Sequence, residues 1–230
     1  MLAMCCISLT ELHFLLNFCE VAPLPWAEKP REMNKDEVLS CVSSLEEKHL
    51  LLKNEQGEYY LDNGLEYMLS IAGRASKAFV IEGTETLKEA VFFHGDAIVQ
   101  IQQNRNQVEI MWLPVLPMLI GQIANNLSPF LNQGKNEPNL YPADQYNALL
   151  TQYLEQGYSV QWKFSAQTGL SVPIQNCTVV TDGKEQVMFN LSGEEVVVSK
   201  PDKSDFVNTL TKSLAMLHSC AIREGGILND

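Results

Sequence analysis

The chain has 230 residues, 46% of them hydrophobic and 19% charged, which is enough apolar material for one large core or two small ones and excludes a disordered polymer. Its formal charge of −12 disfavours contact with nucleic acid or anionic lipid. Six cysteines at 5, 6, 19, 41, 177 and 220 form no CxxC pair, so reduced thiols in a cytoplasmic protein are expected. The apolar start MLAMCCISL lacks the basic flank and length of a signal segment, and the run from Leu113 to Ile120 holds two prolines and is too short for a bilayer, so no membrane contact is expected.

In chain order, Ser8 and Glu11 have the spacing of a capping box, and Leu12, Leu15, Leu16 and Cys19 follow as a helical stripe. Three prolines between Ala22 and Pro30 predict an extended connection, pinned to the surface by Trp26. Asn34 then caps a helix with Val38, Val42, Leu45 and His49 on one side. Leu50 to Leu52 and Glu58 to Leu61 flank a polar turn containing Gly57, the pattern of a hairpin. Asp62 or Asn63 starts a second helix, Gly64 to Arg74, and a strand from Lys77 to Ile81 closes the unit.

After a turn at Glu82 to Thr86, strands are predicted at Lys88 to Phe93, Asp96 to Gln102 and Gln107 to Trp112. Their short connections require antiparallel pairing. Leu113-Pro114 is expected to open a helix reaching Leu127, and residues 128 to 141 read as a linker rich in Asn, Pro and Gly. Pro142 marks the start of the next helix and Gly157 its stop, after which Tyr158, Val160, Trp162 and Phe164 alternate with polar residues as a half-buried strand. Further strands are expected near Asn176 to Thr181, Glu185 to Leu191 and Glu194 to Ser199, the first two joined by Asp182-Gly183. The last helix should run from Lys203 to Arg223 with Phe206, Leu210, Leu214 and Leu217 inward, beneath one continuous sheet.

The predicted fold class is therefore α+β: a twisted antiparallel sheet built from two quasi-related helix–four strand–helix halves, after an N-terminal helical and hairpin segment. The halves divide as 1–130 and 131–230 and form one compact unit. No residue-level match links them, so the inference of a duplication rests on element order.

Few residues suggest chemistry. His94-Gly95-Asp96 places an imidazole near a carboxylate, a spacing that could orient a base, but Gly and Asp are also the residues of a strand-to-strand turn. Cys5, Cys6, His13 and Cys19 are too unevenly spaced for a closed zinc site, and His49 and His218 fall near predicted helix C-termini, where a cation suits the dipole. No nucleophile elbow, phosphate loop or dinucleotide fingerprint occurs. The expectation is a non-enzyme with no cofactor, no metal and no catalytic residue. Trp26, Trp112, Trp162, Tyr59, Tyr60 and Tyr158 are candidate interface anchors, although each also suits a core. Helix, hairpin and helix from Asn34 also read as a winged-helix unit, the basis of an alternative as a transcriptional regulator with a ligand-sensing second half. Asp36, Glu37, Glu46, Glu47, Glu55 and Glu58 would repel phosphates there.

Five stretches carry a resemblance: SLTELHFLLNFCEVAPLPW, SSLEEKHLLL, LDNGLEYMLSIAGRA, EAVFFHGDAIVQIQ and the helix after MWLP. Over residues 8 to about 120 the order of these elements resembles the EspG-like chaperones of type VII (ESX) secretion, and the second half agrees by architecture. The resemblance implies a cytoplasmic, non-enzymatic adaptor that binds helical-hairpin secretion substrates before export. Those clients are PE–PPE pairs in mycobacterial members and would be of that kind or of the WXG or LXG type here. No individual binding residue carries across.

Overall fold

Short strands with alternating apolar residues need their backbone groups paired and their apolar faces covered, and one large sheet meets both needs for most of them. The computed structural model describes residues 4–21, 32–83, 87–127, 137–168 and 172–226. The chain runs through β1 (Met4–Ser8), α1 (Leu9–Phe18), α2 (Lys35–Glu47), a small hairpin of β2 (Leu51–Lys53) and β3 (Tyr59–Leu61), and α3 (Asn63–Arg74). It continues through β4 (Lys77–Gly83), β5 (Leu87–His94), β6 (Ala97–Asn104), β7 (Gln107–Leu113) and α4 (Leu116–Leu127). Then come β8 (Asn139–Pro142), a 3-10 turn (Ala143–Gln145), α5 (Tyr146–Glu155), β9 (Ser159–Thr168), β10 (Val172–Thr181), β11 (Gln186–Ser192), β12 (Glu195–Ser199) and α6 (Lys203–Gly226).

Ten of the strands form one antiparallel sheet in the order β1-β7-β6-β5-β4-β9-β10-β11-β12-β8. The two runs of four strands meet where β4 pairs with β9, Val80 opposite Ser165 and Ile81 opposite Phe164. Beside this contact lies a close approach: a Cβ on Gly83 would sit 2.3 Å from Cζ3 of Trp162, its cross-strand partner. Only glycine leaves room for the indole there.

Strand alternation sends the core to both faces of the sheet. On one face, α1, α3 and the hairpin cover Ile7, Val80, Ala90, Phe92, Val99 and Ile110. On the other, α4 and α6 cover Phe79, Ile81, Val91, Phe93, Phe164 and Val179. Phe206, Leu210, Leu214 and Leu217 of α6 are each at most 1% exposed, as their spacing predicts. A third cluster lies under α5, where Tyr146 and Tyr153 pack with Val180, Phe189 and Val196.

Local chemistry sets the element ends. Ser8 and Asn34 both complete capping boxes, with Glu11 and Glu37, and the Asp62 carboxylate accepts from the amides of Gly64 and Leu65. In the hairpin turn, Asn54 Oδ1 accepts from the amides of Gln56 and Glu58, and Gly57 takes φ +86°. Gly183, at φ +87°, turns β10 into β11.

Several expectations need correction. The apolar N-terminus, to which the sequence assigned no element, is a strand: β1 pairs with β7, Met4 opposite Met111 and Ser8 opposite Gln107. The linker predicted over 128–141 ends in a strand, since Asn139 to Pro142 pair with Val198 to Glu195, while 128–136 lie outside the described residues. The fourth helix starts at Leu116, not Leu113, because Leu113 still pairs with Ile98 in the sheet. Pro142 closes β8 and precedes the 3-10 turn, with α5 starting at Tyr146. His218 is not at a helix end; it lies inside α6, its ring 5.9 Å from that of Phe93. Trp26, the extended connection around it and the tip of the turn at 84–86 fall outside the described residues.

Candidate interaction surfaces

The sequence motif closest to catalytic chemistry does not assemble. His94 ends β5, Gly95 turns the chain at φ +58°, and Asp96 is exposed. No hydrogen bond joins His94 to Asp96 among the described residues. His94 borders a shallow cleft of about 200 Å³ together with Arg74, Ser76, Phe93, Ala221 and Glu224. Glu224 is already engaged, accepting from Lys77 Nζ at 2.6 Å and from Ser76 Oγ at 2.5 Å. The Lys77 bond, then that of Ser76, holds its carboxyl below the usual range, so it stays an ionised acceptor in a structural pair.

The cysteines and His13 are likewise apart. Cys5 is buried in the core, Cys6 points to solvent, His13 is half-buried on α1 and Cys19 is the C-cap of that helix. Among the described residues no group of three or more His, Cys, Asp or Glu side chains is placed to hold a metal ion. In the winged-helix-like unit, α3 buries Leu65, Met68, Leu69, Ile71 and Ala72 against the sheet, and the outer side of α2 and the hairpin turn expose Asp36, Glu47, Glu55 and Glu58, with Glu46 half-buried. That surface repels phosphate.

Of the aromatic candidates, Trp162 is buried against Gly83, and Tyr158 packs edge-on to Tyr153 at 5.1 Å while its hydroxyl donates to Glu185. Trp112 is half-buried on β7, and Tyr59 lies under the Lys53 ammonium, 5.0 Å from its ring centroid. Among the described aromatic candidates Tyr60 alone is freely presented, at 47% exposure.

Two clefts stand out. The larger, about 610 Å³, lies where α1 and α2 begin, lined by Ser8, Glu11, Asn34, Glu37, Ser40 and Lys48 among others. Glu11 is buried, and burial pushes its pKa up, but Lys48, donating at 2.8 Å to both carboxylate oxygens, and the Ser8 amide outweigh burial and hold it below the usual range. The cleft is therefore a self-satisfied polar seam. The smaller, about 340 Å³, has Phe18 and Val21 from the end of α1, Tyr59 and Tyr60 from β3, and Glu66 and Leu69 from α3 on its walls. Phe18 is 43% exposed, as is unusual for a phenylalanine on a helix that is otherwise well packed. This aromatic-walled cleft suits an apolar side chain from a protein partner. Sequence reading singled out Tyr59 and Tyr60 but missed Phe18, which lies just beyond the periodic stripe of α1.

No protein-family model matches the chain, and no curated protein matches it. A solved structure does: that of the Mycobacterium tuberculosis type VII secretion system chaperone EspG5 in complex with the PE25-PPE41 dimer superposes with a TM-score of 0.65. The alignment covers 94% of this chain and 96% of that one, at 8% sequence identity. The fold is EspG-like. Identity this low shows shared architecture alone, so the EspG-like fold locates no partner residue. None of the described helices is long and apolar enough to cross a membrane.

Proposed function

We propose that this chain is a non-enzymatic, cytoplasmic chaperone or adaptor that binds helical secretion substrates of a type VII-like system before export. The observation that carries the reading is the EspG-like fold over 94% of the chain. The solved neighbour is a secretion chaperone in complex with a PE-PPE dimer, which supports a helical-hairpin client of PE–PPE, WXG or LXG type here. Acidic side chains on α2 and the hairpin turn argue for a protein client over nucleic acid. The cleft between Phe18 and Tyr60 is our candidate for a contact with that client.

The order α3, β4 to β7, α4 repeats as α5, β9 to β12, α6. We read it as two quasi-related halves, 1–130 and 131–230, working as one unit. The test is co-expression of the full chain with the helical-hairpin proteins encoded in its own secretion locus, followed by size exclusion. A stable stoichiometric complex with one of them is expected. A locus with no such substrate and no secretion ATPase, or no complex with any candidate, overturns the reading.

A further inference from the structure

The ten-stranded sheet ends on two edges that differ in chemistry. At β8 four residues pair with β12, bracketed by Pro138 and Pro142, neither of which has the N–H that a further strand would need. At β1 the five residues Met4–Ser8 pair with β7 without a register shift, and they include no proline, glycine or charged residue. Edge strands in native sheets normally carry such a guard, because their outward N–H and C=O groups are a template for another strand. Cys5 and Ile7 point into the core, whereas Met4, 58% exposed, and Cys6 point to solvent. Among the described residues no strand pairs with the outer side of β1, and α1 turns back over β7 to pack on α2.

We infer that β1 is a self-association edge, on which the β1 strand of a second copy of this chain docks antiparallel and joins the two sheets into one. The strand is complementary to itself. A five-residue strand overlaps its own antiparallel copy fully only when its middle residue lies on the two-fold axis, so Met4 stands opposite Ser8, Cys5 opposite Ile7 and Cys6 opposite Cys6. That register keeps core-facing residues together and solvent-facing residues together, as a sheet requires. Charge also favours this edge. A molecule of net charge −12 repels its copies elsewhere, but along this edge the Glu11 carboxylate, which accepts from the Ser8 amide, is neutralised by Lys48 at 2.8 Å, and the next carboxylate in register is that of Glu109, opposite Cys6 on β7. In the dimer the two Glu109 residues stand three strand spacings apart, about 14 Å, beyond the screening length of about 10 Å at 0.1 M salt.

Sedimentation of the full chain across a concentration series tests this. A monomer–dimer equilibrium is expected that shifts toward dimer with concentration and with added salt, because salt screens the net repulsion. The double substitution Met4→Lys with Cys6→Lys, both on the solvent side, should leave the circular dichroism unchanged and the chain monomeric. A second measurement uses diamide, which accepts two electrons and the two thiol protons as one S–S bond forms. Cys6 paired with itself across the axis has a Cα separation of about 4.5–5.5 Å, within disulfide reach. Cys5 is buried, with its thiol pushed up to about 12, and does not compete. A cross-linked dimer that disappears in Cys6→Ser is expected. A monomer at every concentration, a dimer that weakens with salt or persists in the double-lysine variant, or a cross-link that survives Cys6→Ser each overturns the inference.

Discussion

Glu89 is the residue at which a single substitution reports most on this fold. It sits in β5 at 1% exposure, and Gln100 of β6, fully buried, donates Nε2 to its Oε1 at 2.6 Å. Burial raises its pKa from 4.5 to about 7, opposed by the Gln100 bond. An acid whose folded pKa is raised stabilises the protein most when protonated, below the unfolded value, and that contribution is lost as pH climbs through the folded value. With the unfolded chain near 4.5 and the folded one near 7, stability should fall by about 2.5 kcal/mol between pH 5 and pH 8 from this group alone. Glu89→Gln removes the titration and keeps the shape. Its amide can accept from Gln100 Nε2 and donate to Gln100 Oε1, which has no partner among the described residues. The variant should match the wild type to within about 1 kcal/mol at pH 5 and exceed it by about 2–3 kcal/mol at pH 8. Urea unfolding of both proteins at several pH values gives the difference directly, with the other carboxylates cancelling. A difference that stays flat from pH 5 to pH 8 would refute the placement of Glu89 as a buried acid.

Other substitutions address the core and the proposed client contact. Leu210→Ala or Leu214→Ala, each truncating a fully buried α6 side chain, should cost about 2–5 kcal/mol in urea unfolding; wild-type midpoints would make α6 peripheral. Gly83→Ala drives a Cβ into the Trp162 ring and should cost about 1–3 kcal/mol, with Trp162→Leu relieving part of it in a double-mutant cycle. Additive effects of the two changes would show that the contact is not where the strain lies. Tyr60→Ser should leave thermal unfolding within about 0.5 kcal/mol of wild type and weaken a purified client complex by about tenfold, so an unaltered affinity removes this cleft from the interface.

Everything that depends on neighbours along the chain was legible in the residues. Ser8 with Glu11 and Asn34 with Glu37 close their capping boxes within one helical turn, and Asp182-Gly183 turns β10 into β11. The spacings of four, four and three along Phe206, Leu210, Leu214 and Leu217 required a buried side wherever α6 came to lie. Strand order and edge pairing belong to the tertiary structure. β1 has no hairpin partner and is held by Met111 and Ile110 from far along the chain, and β8, hidden in proline-rich composition, forms only because β12 offers it an open side. Phe18 and Tyr60 come to border one cleft because α1, β3 and α3 converge there. Helix caps and turns are made by bonds across a few residues and leave a local signature, whereas sheet edges and surface clefts arise from pairings whose loop-closure cost is met only when the whole core assembles.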